Sequence, residues 1–350
     1  DQVGVQASEL VPGPDSVDVS TQTEIRVAFG EQMDKPSVER RFEVAPSVEG
    51  ALAWRGNTLV WRPKNPLAAD TSYAVSLAAG AQSAQGHVLQ DDLAWTFRTG
   101  QPRVLFMSVG DVAQLHEVEP ETSSVRQLTQ FRDGSSVWDF AVSPDGRQIA
   151  FGLVRPDGSA VDLWLMDADG SAARRLLACD ESQCTGAAWS PDGRRLAYER
   201  RELNVDLGAV GGGPGPSRVW LVHLGSAVSN RLFQDTQKLG YAPRWSPDGR
   251  HLAYFDPQSG VRIVDVEVGV EDSRLIPNQL GEIGSWSPDG QALALVDLIF
   301  EGETHSSYLV QVELGGDTIQ NLSGEEFGAN DGSPAWSPTG ESVSYTHLTL

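Results

Sequence analysis

Six histidines, two cysteines and 48 acidic side chains are the groups in this 350-residue chain that could carry chemistry. A serine hydrolase of the α/β type would show G-x-S-x-G, a zinc peptidase H-E-x-x-H, and a nucleotide enzyme a glycine-rich phosphate loop. None of these patterns occurs. His87, His116, His223, His251, His305 and His347 are spread over separate segments with no ligand spacing, so each reads as a surface or packed residue unless distant positions converge in a channel. "DADGS" (residues 167–171) imitates the start of a calcium loop, but Ala178 stands where the bidentate glutamate belongs, which leaves a hairpin turn. Carboxylates are numerous enough to pair by chance. The sequence therefore names no catalytic residue, no metal ligand and no cofactor.

Cys179 and Cys184 share the stretch "CDESQC". In a reducing cytosol they would be two free thiols; in an oxidising compartment they would close a small loop worth roughly 2 kcal/mol by chain entropy. The second alternative fits the rest of the chain better. Structural zinc would want four ligands, and no histidine or further cysteine lies close by in sequence.

The formal net charge is −22, which argues against a broad basic face for a nucleic-acid backbone. Such acidity reads as a solvated, self-repelling surface. The longest apolar run, "ALALVDLIF", contains an aspartate and is far shorter than the roughly 20 residues of a membrane helix. The chain begins "DQVGVQ", which is expected of a mature form or a trimmed piece.

The elements that would position any site are announced by repetition. "AWSPDGRRLAYE" (188–199) returns as "RWSPDGRHLAYF" (244–255), "SWSPDGQALALV" (285–296) and "AWSPTGESVSYT" (335–346), with a weaker copy "AVSPDGRQIAFG" (141–152). The motif prolines Pro144, Pro191, Pro247, Pro288 and Pro338 are 47, 56, 41 and 50 residues apart, a spacing expected of propeller blades. Proline presets φ, aspartate bonds the backbone and glycine supplies φ > 0, so the motif joins two strands of a hairpin. Alternating apolar residues follow it as a pleated strand requires. Third strands are expected at "DLWLMD", "RVWLVH", "VRIVDV" and "SYLVQV", and fourth strands near "RRLL", "NRLF", "SRLI" and "QNLS". Upstream, residues 104–129 read as strands two to four of another blade that must borrow its first strand.

This wording resembles the TolB-like propellers, whose repeat runs approximately W-S-P-D-G-x-x-I-A-F with a D-x-x-G turn such as "MDADG" after the third strand. The resemblance covers about residues 101–350 and implies a propeller of five recognisable blades plus a partial one, six in a full protein. The last copy stops after two strands at "SYTHLTL", so a truncated C-terminus or foreign terminal residues are expected.

Residues 1–100 lack these turns but are rich in strand signals, which points to a small β-sandwich with Ile25, Val27, Phe29, Phe42, Leu59, Trp61, Tyr73, Val75, Trp95 and Phe97 as its core. "GALAWRGNTLVWRP", "TSYAVSL" and the closing "WTFRT" resemble a bacterial SbsA-type Ig-like domain. That resemblance implies an envelope or secreted location and a spacer or adhesion role, a setting that also suits a Cys179–Cys184 bond. The fold class expected is thus all-β, an Ig-like sandwich at 1–100 followed by a TolB-like propeller at 101–350.

The S-P-D-G turns occupy one face of the propeller; connections from strand two to strand three and from blade to blade open on the other. That second face carries the irregular stretches 200–217, 297–306 and 323–331 and the cysteine loop, with Glu202, Asp206, Glu301, Glu303, Glu325 and Glu326 as its candidate binding residues. The function expected is non-enzymatic binding or scaffolding outside the cytoplasm, toward a protein or envelope component. Two alternatives stand beside it: a propeller enzyme such as a polysaccharide lyase or hydrolase, and the sensory or gating part of a longer anchored or peptidase protein.

Overall fold

The computed structural model describes residues 4–349 apart from 121, 204–213, 236, 279, 281, 303, 317, 325–328 and 338–339. The chain divides into two compact units, residues 1–104 with 117–125, and residues 105–116 with 126–350.

The first unit is a sandwich of two four-stranded sheets. Strands β1 (Ala7–Val11), β3 (Ile25–Phe29), β6 (Thr58–Pro63) and β5 (Gly50–Arg55) form one sheet in that order. The other runs β2 (Ser16–Val19), β8 (Leu93–Thr99), β7 (Ser72–Leu77) and β4 (Phe42–Ala45), and a short helix α1 (Lys35–Glu39) precedes β4. Period-2 alternation puts Ile25, Val27 and Phe29 inward on β3 and Tyr73, Val75 and Leu77 inward on β7, where they are almost wholly buried. Every expected core residue is buried except Phe42, which is packed against the core but only partly covered.

The remaining strands form blades, and the residues of the first of these are divided between the two units. A three-stranded sheet, β9 (Val104–Met107), β10 (Leu115–Glu119) and β11 (Ser124–Gln127), matches the blade expected to lack its own first strand. Four-stranded antiparallel blades follow: β12 (Ser136–Val142) to β15 (Arg174–Leu177) through β13 (Gln148–Val154) and β14 (Val161–Asp167); then β16 (Ser182–Trp189), β17 (Arg195–Glu202), β18 (Ser217–His223) and β19 (Val228–Arg231). The next blade is β20 (Tyr241–Trp245), β21 (His251–Asp256), β22 (Gly260–Asp265) and β23 (Gly269–Ile276), and after it come β24 (Ser285–Trp286), β25 (Ala292–Glu301), β26 (Thr304–Glu313) and β27 (Ile319–Asn321). A two-stranded piece, β28 (Ala329–Trp336) and β29 (Val343–Thr349), is the partial blade.

The repeated turn explains why the motif is so constant. In "SPDG" at 190–193 the Gly193 amide donates to the Ser190 carbonyl at 2.8 Å, with Gly193 at φ 70°, and the Asp192 carboxylate accepts the Arg194 amide at 3.0 Å. The fully buried Ser190 hydroxyl accepts the Arg195 amide at 2.9 Å and donates to Asp192, which locks the hairpin from inside. Ser143, Ser246 and Ser287 repeat this bond in their own turns.

Candidate functional site

The motif tryptophans stitch each blade to the one before it. Trp189 Nε1 donates to the Ala141 carbonyl, Trp245 to Ala188, Trp286 to Arg244 and Trp336 to Ser285, at 3.0 to 3.2 Å. The acceptor always immediately precedes the motif position of its own blade. The hydrogen bond adds to the packing of these indoles and is not announced by their apolar character alone.

A second series of inter-blade contacts places carboxylates at the same level of the inner strands. Three residues before the motif tryptophan, the strand bulges into the left-handed region at Gly186 (φ 63°), Ala242 (φ 52°) and Ser333 (φ 51°). The bulge turns that residue's amide out of its own ladder, so it needs an acceptor elsewhere. The preceding inner-strand segments supply it: Asp139 Oδ2 accepts from Gly186 at 2.5 Å and Glu282 Oε1 accepts from Ser333 at 2.8 Å. For Ala242 the acceptor is Glu199 Oε1 on the second strand of the preceding blade, also at 2.8 Å.

Asp139 and Glu199 meet across one glycine. Asp139 also accepts the Gly152 amide at 3.1 Å, and a Cβ on Gly186 would stand 2.7 Å from Glu199 Oε1. Burial pushes both carboxyls above their ordinary range, the amide donors offset part of that rise, and the charge of Asp139 adds to the rise at Glu199 while Arg201 opposes it. Burial also raises the Tyr241 phenol, with the Glu199 charge adding to the rise. Trp138, the residue before Asp139, is 55% exposed. Neighbouring carboxyls of raised proton affinity are an arrangement that general acid–base chemistry uses. Here, however, both groups also carry a structural load as acceptors for backbone amides.

Among the described residues of the loop-rich face, strand enters stretches expected as irregular, since β17 runs to Glu202 and β28 starts at Ala329, and the longest departure is at 297–306. Residues 297–306, expected as irregular, continue as hairpin: β25 and β26 pair without interruption from Ala292 opposite Glu313 to Glu301 opposite Thr304. The Leu-Ile-Phe run favours strand, and Gly302 at φ 62° turns the tip. Aligned on the motif, Asp297 corresponds to Asp256, where the β21 ladder ends, so four further pairs project beyond it, about 13 Å at the rise of a strand. Phe300 near the tip is 59% exposed, with the His305 ring 6.1 Å away.

Of the candidate binding residues, Glu202 ends β17 and pairs with Arg200 at 3.4 Å, and Glu301 ends β25. Asp206, Glu303, Glu325 and Glu326 lie outside the described residues. Cys179 and Cys184 are joined by a disulfide and are buried where β15 passes into β16. The turn at 167–171 is a hairpin, with the Gly170 amide on the Asp167 carbonyl at 2.9 Å. Among the described residues no group of three or more His, Cys, Asp or Glu side chains is arranged to hold a metal. No helix among them is long and apolar enough to cross a membrane.

Residues 1–99 match the family described as a bacterial Ig-like domain. Among solved structures, the chain is similar to TolB from Acinetobacter baumannii, with 20% identity over 73% of this chain and 60% of that one and a TM-score of 0.46. It is also similar to an oligogalacturonate lyase in complex with manganese, with 18% identity over 63% of this chain and 61% of that one and a TM-score of 0.49. A third is a putative TolB from Agrobacterium tumefaciens, with 17% identity over 74% of this chain and 95% of that one and a TM-score of 0.47. The chain spans about 60% of the length of the first two. No curated protein sequence matches it significantly.

Proposed function

We propose that this chain is a non-enzymatic recognition module that works outside the cytoplasm, its Ig-like sandwich a spacer and its propeller unit a docking platform for a protein or envelope component. The observation that carries the reading is the β25–β26 finger. A rigid hairpin that outruns its blade and exposes a phenylalanine near its tip exposes apolar area at the tip with no benefit to the blade's own core, and aromatic anchors on rigid supports are what interfaces use. The buried disulfide and the Ig-like match support an oxidising, extracytoplasmic setting.

The test is removal of residues 298–307, with Asp297 joined to Tyr308 through Asn-Gly. The shortened hairpin keeps every pair of the third blade, ending at Asp297 opposite Tyr308 as β21 ends at Asp256 opposite Gly260. Retained folding with loss of partner recovery from envelope extracts supports the reading; unchanged recovery counts against it.

A second reading rests on Asp139 and Glu199, whose separation by one glycine and raised proton affinity suit an acid–base pair in a propeller enzyme. Glycan turnover abolished by Glu199→Gln in a protein of unchanged stability would favour that reading over the first.

A further inference from the structure

The edge strands of the sandwich are not alike. β1 is bulged between Ala7 and Glu9, β2 shifts register between Ser16 and Val19 around Asp18 at φ 57°, and β4 is four residues long and runs into Pro46. Bulges, short length and proline keep a sheet edge from pairing with another chain. β5 has none of these. It pairs with β6 in unbroken register from Gly50 opposite Pro63 to Arg55 opposite Thr58, and between Glu49 and Arg55 it carries neither charge nor proline.

The parity of that ladder decides which backbone groups face outward. The two-residue turn Gly56–Asn57 closes on Arg55 and Thr58, and the Lys64 amide donates to the Glu49 carbonyl at 2.9 Å, so Glu49, Ala51, Ala53 and Arg55 direct their backbone groups to β6. Those of Gly50, Leu52 and Trp54 point away from it, and among the described residues no hydrogen bond engages their amides. Ala51, Leu52 and Ala53 are exposed, so the edge lies open.

This edge is complementary to itself. Turned about a two-fold axis at Leu52, a second copy sets Leu52 against Leu52, Gly50 against Trp54 and Ala51 against Ala53, and the outward-facing residues exchange about six ladder hydrogen bonds. The same turn sets Glu49, whose exposed side chain lies 3.4 Å from Lys64, against Arg55. Arg55 keeps its ion pair with Glu24 at 3.2 Å, and opposite charges facing each other across the axis attract without a further bond. Centring the axis on Gly50 or Trp54, the other residues whose backbone faces outward, sets neither charge against its opposite.

We infer that β5 is a homodimer interface, in which the edges of two copies pair antiparallel about a two-fold axis at Leu52 and join their sheets into one. This interface lies on the sandwich and does not use the β25–β26 finger, so either can fail without the other.

The test is sedimentation equilibrium of the whole chain. The weight-average mass should rise toward twice that of the monomer between about 1 and 100 μM, as suits a small interface. Leu52→Pro keeps every bond to β6, because the amide it loses faces outward, and should stay monomeric with the circular dichroism of wild type. A monomeric wild type, which would leave the edge to a partner of another sequence, or a dimer that persists in Leu52→Pro, overturns the proposal. Cross-linking reads the register without proline. Cys179 and Cys184 are bonded to each other, so an added cysteine supplies the free thiol. Mixing Ala51→Cys with Ala53→Cys brings the two Cα atoms to about 4.5 Å across the axis, within disulfide reach, whereas either variant alone holds them about 8 Å apart. Oxidation at equal total concentration should yield covalent dimer several-fold faster in the mixture than in either variant alone. Equal rates in all three samples also overturn the proposal.

Discussion

Trp245 donates its indole N–H to the carbonyl of Ala188 at 3.1 Å, and Ala188 is the residue next to Trp189, which makes the same bond one blade earlier. Each of the four seams after the first four-stranded blade thus carries a copy of one polar latch inside an apolar contact. Replacing Trp245 with Phe keeps an aromatic ring but leaves a partly buried carbonyl without that donor. The expected loss is about 1–3 kcal/mol, lost indole packing included. Urea unfolding followed by circular dichroism measures it; a variant as stable as wild type would show that the latch contributes nothing.

Glu199 carries the clearest pH signature. Burial raises its proton affinity in the folded protein, and the Asp139 charge raises it further. A carboxyl whose folded pKa lies above its unfolded value stabilises the fold fully at pH below the unfolded value, about 4.3. That contribution is lost as pH rises through the folded value. The other groups facing it are the Ala242 amide, Arg201 and the Ser217 hydroxyl, which all oppose the shift, and Tyr241. Glutamine at 199 can accept the same amide and does not titrate. Subtracting the unfolding free energy of Glu199→Gln from that of wild type should therefore give a difference that falls as pH goes from 4 to 8. A flat or rising difference in matched urea titrations would refute the assignment.

The blades were legible because Ser, Pro, Asp and Gly each meet a separate demand of one tight turn, so the turn imposes a string rather than a tendency. In the sandwich, β3 and β7 were legible by alternation, whereas β1 and β2 were not: their burial follows no period of two, and α1 is a five-residue helix too short to set up a pattern. Asp139 and Glu199 were invisible for a different reason. Their partners are amides 47 and 43 residues further on, and an amide has no residue type to read. Only the repeat itself held a signal. Asp139, Gly186 and Ala242 sit at one offset from the motif position, and superposing the copies would have lined up the carboxylate with the glycine it binds.

That glycine is the next test. Gly186 sits at φ 63°, and a Cβ there would stand 2.7 Å from Glu199 Oε1 and 3.2 Å from its Cδ. Gly186→Ala carries the left-handed penalty of about 1–2 kcal/mol and displaces the Glu199 carboxylate from the Ala242 amide. The displacement is separable from the penalty. In a double-mutant cycle with Glu199→Ala the combined cost should fall short of the sum by about 0.5–3 kcal/mol, because the group that clashes has been removed. Strict additivity would place the entire cost in the backbone.

The disulfide closes the corner at which β15 leaves one blade and β16 begins the next. The Cys179 amide donates to Asp162 at 2.8 Å, and Asp162 is held by Arg155 and lies 3.5 Å from Arg175, so the corner has a polar anchor apart from its covalent one. Both sulfur-bearing side chains lie in the apolar cluster with Leu163, Leu176 and Tyr198. Reduction removes a loop constraint worth roughly 2 kcal/mol but not the anchor, so the blades should survive with lower stability. Cys179→Ala combined with Cys184→Ala should reproduce the midpoint shift that a reducing agent causes in wild type, apart from the lost packing of two small side chains. A reducing agent should then leave the double variant unmoved. A reduced protein as stable as the oxidised one would show that the ion-paired Asp162 alone holds the corner.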